Sequence, residues 1–240
     1  MLIENSFEGG SDETTITTGN SGGASGTAFD TVENNAGANT VVFDTARAAR
    51  GSVSCRIQVN GSGTANVQWR GTAIPAEISP IYTRHYVYFT GAPVTNSLRH
   101  IVLADATTLS RHADYSILTS GIIRMSSNTF SSADMANTVP TNEWVRLETR
   151  TLISATVGEM TIRMYNAAGS LVEEKAHTGN GSLDTLSGTE SGADLVGFGQ
   201  LTSNTSATTW WMDDLAVSDA GWIGPATTPQ SIIFPHRMGG

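Results

Sequence analysis

Apolar and polar positions alternate along most of this chain. Residues 52–60 place Val53, Cys55, Ile57 and Val59 on one side and Ser54, Arg56 and Gln58 on the other. Residues 65–70 set Val67 and Trp69 against Gln68 and Arg70, and residues 82–90 set Val87 and Phe89 against Tyr82, Arg84, Tyr86 and Tyr88. Residues 144–153 oppose Val145 and Leu147 to Arg146, Glu148 and Arg150, and residues 160–165 oppose Met160, Ile162 and Met164 to Thr161, Arg163 and Tyr165. A period of two gives each strand one buried and one wet face. Shorter runs of this kind cover 99–104, 115–119, 122–126, 171–177, 195–201 and 209–217. Helical periodicity is nearly absent: Ala46, Ala48 and Ala49 within 44–51 suffice for one turn or two. Turn pairs such as Asn60-Gly61, Ser120-Gly121 and Ala168-Gly169 separate the runs, and Pro75, Pro80, Pro93 and Pro140 fall between them. The pattern predicts an all-β fold, an antiparallel β-sandwich of jelly-roll type, with residues 14–28 as a long loop.

Composition narrows the class. At 240 residues the chain fits one large sandwich over residues 1–224. Only 15% of residues are charged while 39% are hydrophobic, which speaks against disorder. The formal net charge of −9 excludes a duplex-DNA binder that works by phosphate neutralisation, so no nucleic-acid partner is expected. No apolar run reaches the ~18 residues of a membrane span, so no membrane insertion is expected. Residues 1–10 carry neither a basic nor an apolar stretch, so no signal peptide is expected either. The single cysteine, Cys55, precludes an intramolecular disulfide and reads as a small buried hydrophobe.

From Gly224 the alternation stops. Gly224-Pro225, Pro229 and Pro235 punctuate the short apolar run Ile232, Ile233, Phe234. Residues 225–240 therefore read as an extended C-terminal arm. Its apolar anchor either packs on its own domain or docks on a neighbouring subunit, which would make the protein a homo-oligomer.

Four stretches carry a resemblance. They are Asn5-Ser6-Phe7-Glu8-Gly9-Gly10 leading to Gly26-Thr27-Ala28-Phe29-Asp30; the run from Ile81 through Tyr82, Arg84, Tyr86 and Tyr88 to Phe89; Glu143-Trp144-Val145-Arg146-Leu147-Glu148; and Trp211-Met212-Asp213-Asp214-Leu215-Ala216-Val217, closing on Gly221-Trp222-Ile223-Gly224-Pro225. Together they resemble the concanavalin A-like lectin/glucanase superfamily. More narrowly, they resemble the jelly-roll domains found in minor tail and other virion proteins of phages infecting actinobacteria. The resemblance implies a non-enzymatic virion component, assembled in the host cytoplasm beside other virion subunits, with a lectin-like face for cell-surface glycans. The alternative is a polysaccharide lyase or glycoside hydrolase of the same fold, since one fold hosts many functions.

The candidate chemistry is a polar face assembled from several strands: Arg56, Arg70, Tyr82, Arg84, Tyr86, Tyr88, Arg146, Glu148 and Arg150. Tyrosines there would stack on sugar rings, and arginines would pair with carboxylates or sulfates. No catalytic residue is assigned. The Glu-x-Asp-x-x-Glu cluster of the superfamily's glucanases is missing; Glu173-Glu174 and Asp213-Asp214 are adjacent pairs whose members point to opposite faces. Strict alternation puts Asp213 with Trp211, Leu215 and Val217 toward the core, as a structural acceptor for loop N–H groups or, as the one cofactor site entertained, a calcium ligand. His85, in phase with Val87 and Phe89, reads as a core histidine with a hydrogen-bond partner. His100 and His112 show no partner, and the histidines lack metal-ligand spacing. Gly197-Phe198-Gly199 reads as a close backbone approach inside a strand.

Overall fold

A computed structural model describes residues 1–226 apart from 36–37, 61–62, 93–95, 130, 189 and 203–206. Residues 227–240, and with them Ile232, Ile233 and Phe234 of the expected arm, lie outside the described residues. The strands in chain order are β1 (Leu2–Asn5), β2 (Thr31–Asn34), β3 (Thr40–Asp44), β4 (Ser54–Val59), β5 (Ala65–Arg70), β6 (Ile81–Phe89), β7 (Leu98–Ala104), β8 (Arg111–Ile117), β9 (Ile122–Ser127), β10 (Ser132–Thr138), β11 (Trp144–Leu152), β12 (Glu159–Tyr165), β13 (Leu171–His177), β14 (Leu195–Gln200) and β15 (Thr208–Ser218). They form two antiparallel sheets. The first runs β13-β12-β11-β6-β15-β4-β3, with β1 also on β15, and the second runs β10-β9-β8-β7-β14-β5-β2. The expected jelly-roll sandwich is therefore present.

The facing sides of the two sheets make the core. Val87, Phe89, Leu147, Ile162, Trp210 and Met212 of the first sheet are fully or almost fully buried, as are Trp69, Leu103, Tyr115, Met125 and Phe198 of the second. Aromatic rings run through it in contact: Phe43 meets Phe7, Phe7 meets Phe29, Phe29 meets Trp69, and Trp69 meets Phe198. The close approach expected at 197–199 is real at Gly199. Its φ is +121°, and a Cβ there would stand 2.6 Å from the Ala65 carbonyl oxygen across the β14–β5 pair.

Several elements depart from the alternation pattern. Residues 45–51 form bends and irregular chain rather than a helical turn, with the Asp44 side chain at the end of β3 accepting the N–H groups of Ala46 and Arg47 at 2.9 and 3.3 Å. β3 escapes the pattern because Val41, Val42, Phe43 and Asp44 are all buried, so both of its faces are covered. β10, a polar edge strand, shows no alternation to find. Its exposed amides are met from the facing sheet: Glu173 on β13 accepts the N–H groups of Ala136 and Asn137, both at 2.8 Å. That contact closes one side of the sandwich and blunts an edge.

The largest departure lies in β15. A β-bulge falls at Asp213–Asp214, where Asp214 takes a left-handed φ of +47°. An extra residue shifts the phase of the alternation by one. Trp210, Met212, Leu215 and Val217 face the core, while Trp211, Asp213 and Ala216 share the outer face. The expected grouping of Asp213 with Leu215 and Val217 is corrected accordingly. The bulge also marks a change of neighbour: β4 pairs with residues 208–212 of β15, and β1 pairs with residues 215–218 on the same edge.

Candidate functional site

Register fixes how the polar side chains meet on the outer face of the first sheet. One row across the strands reads Arg56, Trp211, Tyr88, Trp144. The next reads Asp213, Tyr86, Arg146, Tyr165. A third reads Glu4, Ala216, Arg84, Glu148, Arg163, Glu174. A fourth places Tyr82 beside Arg150. The strand order thus brings Arg56, Arg84, Tyr86, Tyr88, Arg146 and Glu148 onto one face. It excludes Arg70, which sits on β5 and pairs with Leu195 in the second sheet. Alternation gave Arg70 a polar parity but could not say which sheet its strand would join.

Most charges on this face are answered by a neighbour. Arg56 lies at the far edge and contacts Glu13 and Asp44, with Nη1 2.8 Å from a carboxylate oxygen of each. Arg84 is buried, donating from Nε to the Asp214 carbonyl at 3.2 Å and from Nη2 to Glu4 at 3.1 Å. Arg150 pairs with Glu159 at 2.8 Å. Arg146 lies 3.8 Å over the Tyr165 ring, and its Nε is 3.2 Å from Glu148. Burial pushes the Glu148 carboxyl above its ordinary range, while the neighbouring Arg146, Arg163 and Arg84 pull it back. Tyr88 is packed edge-on between Trp144 and Trp211 at 5.6 and 5.8 Å, and Arg47 caps the cluster 4.1 Å from the Trp211 ring.

Asp213 faces three backbone donors. One oxygen accepts Ala49 and Arg50 N–H at 2.8 and 3.1 Å, and the other accepts Asp214 N–H at 2.8 Å. This is the structural-acceptor role, and it ties the 45–51 loop to the bulge. Those three N–H groups take three of the carboxylate's roughly four acceptor sites. Burial and the adjacent Asp214 charge push the Asp213 carboxyl up to about 8.

The chain leaving β15 crosses this same face. Trp222 packs edge-on against Tyr82 at 5.6 Å with the Arg163 guanidinium 3.8 Å over its ring. The Gly224 amide is directed at the Glu148 carboxylate. The Ala226 N–H donates to the Tyr86 hydroxyl at 3.3 Å. Two pockets remain on either side. One, of about 240 Å³, is lined by Arg50, Tyr86, Trp144, Arg146 and Asn166, with Pro225 at its margin. The other, of about 340 Å³, is lined by Glu4, Glu8, Arg50, Arg84 and Asp214, with Ala226 at its margin. Trp144 was legible as a member of this face, since it shares parity with Arg146. Arg50 was not, because it comes from an irregular loop with no period to read.

The histidines are elsewhere. His85 and His100 face each other across the two sheets with Nε2 atoms 2.9 Å apart, both buried among Phe89, Phe198 and Trp210. His85 thus has the partner expected of it, and His100, which alternation left alone, is that partner. His112 accepts the Ser187 N–H at 3.0 Å.

No protein family's sequence model and no curated protein matches the chain. Solved structures do. The cellulose-induced protein Cip1 superposes with a TM-score of 0.61 at 17% identity, over 93% of this chain and 100% of that one. An endo-β-1,4-glucuronan lyase from the fungus Trichoderma reesei gives 0.58 at 10% identity, over 91% and 94%. The binding domain of botulinum neurotoxin serotype G gives 0.53 at 12% identity, over 90% of this chain and 47% of that one. At these identities the likeness is one of fold, an antiparallel β-sandwich of jelly-roll type.

Proposed function

We propose that this chain is a non-enzymatic, lectin-like jelly roll that holds an acidic sugar in the Tyr86–Trp144–Arg146 pocket, carried as a tail or surface component of a virion. The observation behind the glycan reading is the lining of that pocket. It joins two arginines to two aromatic rings, with no carboxylate among its described lining residues. Guanidinium groups pair with sugar carboxylates or sulfates, and the rings offer apolar faces for stacking. Its volume falls below the roughly 300–1,000 Å³ of a drug-sized site, so it suits a single sugar residue and weak binding. Repeated copies on a particle would convert weak sites into avidity. The virion context is supported by the four stretches that resemble phage tail jelly rolls.

The non-enzymatic part is supported by where the titratable groups sit. A glycosidase needs two carboxylates flanking one bond. Here Glu148 lies beneath Gly224 and Asp213 is engaged by backbone amides. One observation favours a second reading, a uronate lyase. Tyr86, whose hydroxyl accepts the Ala226 N–H, lines a pocket that also holds Arg50 and Arg146, and such a set could neutralise a uronate and remove its α-proton. The likeness to a glucuronan lyase is in keeping with it.

Calorimetry with glucuronic acid, a glucuronate tetrasaccharide and neutral cello-oligosaccharides tests the proposal, with absorbance of the unsaturated product followed in parallel. Acidic sugars should bind in preference to neutral ones, and Arg146→Ala and Trp144→Ala should each weaken them about tenfold or more. Accumulation of unsaturated product would transfer the assignment to the lyase. Mass spectrometry of purified particles checks the virion location, and absence of this chain from them refutes it.

A further inference from the structure

The two pockets are not independent. They share Arg50, and what separates them is the chain's own Pro225 and Ala226. Beneath that divider, Tyr86 borders the smaller pocket and Arg84, two residues back on the same strand and face, borders the larger. The divider has few attachments. Its described ones are the Ala226–Tyr86 hydrogen bond, the Gly224 contact with Glu148 and the Trp222 anchor between Tyr82 and Arg163. Gly224, with φ of +74°, supplies the turn that brings Pro225 and Ala226 down onto the sheet.

Charge differs between the two ends. The smaller pocket presents Arg50 and Arg146. The larger presents Glu4, Glu8 and Asp214 beside Arg84, and the Asp214 Oδ2, 3.7 Å from the Arg50 Nε in an ion pair, accepts no hydrogen bond. A buried acceptor left without a donor is costly, so a ligand hydroxyl there would be favoured.

We infer that residues 222–226 are a strap lying in a single groove, and that the groove takes an acidic oligosaccharide of two or more sugar residues once the strap lifts. The acidic group of one sugar sits at Arg50 and Arg146, and hydroxyls of the next donate to Asp214 and Glu4. With the strap down the groove is divided into two separate pockets, each with room for a single sugar residue. This deepens the glycan reading above and rests on it. The strap is a competitor for the groove, so its own contacts set the affinity for a longer ligand.

The test compares glucuronic acid with its β-1,4-linked tetrasaccharide on three proteins: the full chain, a chain ending at Ile223, and full-length Trp222→Ala. Melting curves establish that each is folded. Trp222→Ala keeps the whole chain and removes only the anchor, so it serves if truncation impairs folding. The full chain should bind the two ligands with similar affinity. Truncation should tighten the tetrasaccharide about tenfold or more and leave the monosaccharide unchanged, with Trp222→Ala in between. Equal tetrasaccharide binding by all folded forms overturns the strap and leaves the single-pocket glycan reading standing. Absence of binding by either ligand in every form overturns both. Hydrogen exchange at the Ala226 amide, which donates to the Tyr86 hydroxyl, gives a readout that needs no glycan: it should accelerate in Trp222→Ala, and unchanged protection refutes the strap's release.

Discussion

The His85–His100 pair makes acid stability a sharp test of the core. With the Nε2 atoms 2.9 Å apart, one ring donates N–H and the other accepts, so the pair is neutral. Burial holds both below the ordinary histidine value, His100 down to about 3 and His85 well below as well, the latter with the nearby His100 and Arg84 adding to the effect. A depressed histidine favours the folded state above the unfolded pKa of ~6.5, and that stability is lost as pH falls below it. Between pH 7 and pH 5 the unfolded chain takes up about 0.7 of a proton per histidine while the folded pair takes up almost none. The loss is about 2 kcal/mol per histidine, or about 4 kcal/mol for the pair. The figure does not depend on how deeply the pair is depressed, provided both values stay below 5. For a chain of this size about 4 kcal/mol is on the order of 8–16 °C in Tm. The assay is thermal or urea unfolding at pH 7 and pH 5, for the native chain and for His85→Leu with His100→Leu. His112 is also depressed, chiefly by burial, and Asp213 acts in the opposite direction, but both are common to the two proteins. The difference between the two pH slopes therefore isolates the pair. Slopes that agree within about 1 kcal/mol would refute a buried neutral pair, and a histidine ring titrating near 6.5 by NMR would do the same.

Asp213 supplies the opposite sign. A carboxyl raised to about 8 lets the folded state keep a proton that the unfolded chain releases, so its contribution is present below ~4 and declines as pH rises toward 8. Asp213→Asn should flatten that decline in urea titrations between pH 5 and 8, while costing about 1–3 kcal/mol because an amide cannot accept all three backbone N–H groups. Glu173→Ala strips the partner from two edge amides of β10 and should lower stability by about 1–2 kcal/mol and speed aggregation seen by light scattering. Gly199→Ala should unfold the chain or cost more than about 2 kcal/mol by circular dichroism, because the added Cβ meets backbone across the β14–β5 pair at a left-handed φ. Arg47→Ala should cost only about 0.5–1 kcal/mol in unfolding, the scale of a half-exposed cation–π contact.

The sequence by itself determined which side of most strands would be wet. Arg84, Tyr86 and Tyr88, and Arg146 with Glu148, could be paired by parity because a strand's side chains alternate whatever sheet it joins. It also determined the fold class, since many short alternating runs between turn signals have few other solutions. Where both faces of a strand are covered, as in β3, or where an edge strand buries a single large apolar side chain, as β10 does with Met135, alternation carries no signal. Only the tertiary structure decided which strands lie side by side. That order gathered Arg56 through Glu148 onto one face and sent Arg70 to the other sheet, a matter of long-range pairing that no local pattern encodes. It also decided the phase of β15, where one bulged residue moved Trp211 and Asp213 to the outer face. And it decided that residues 222–226 would lie across the very face whose side chains parity had singled out. An irregular segment has no period to read, and its path is set by what it packs against.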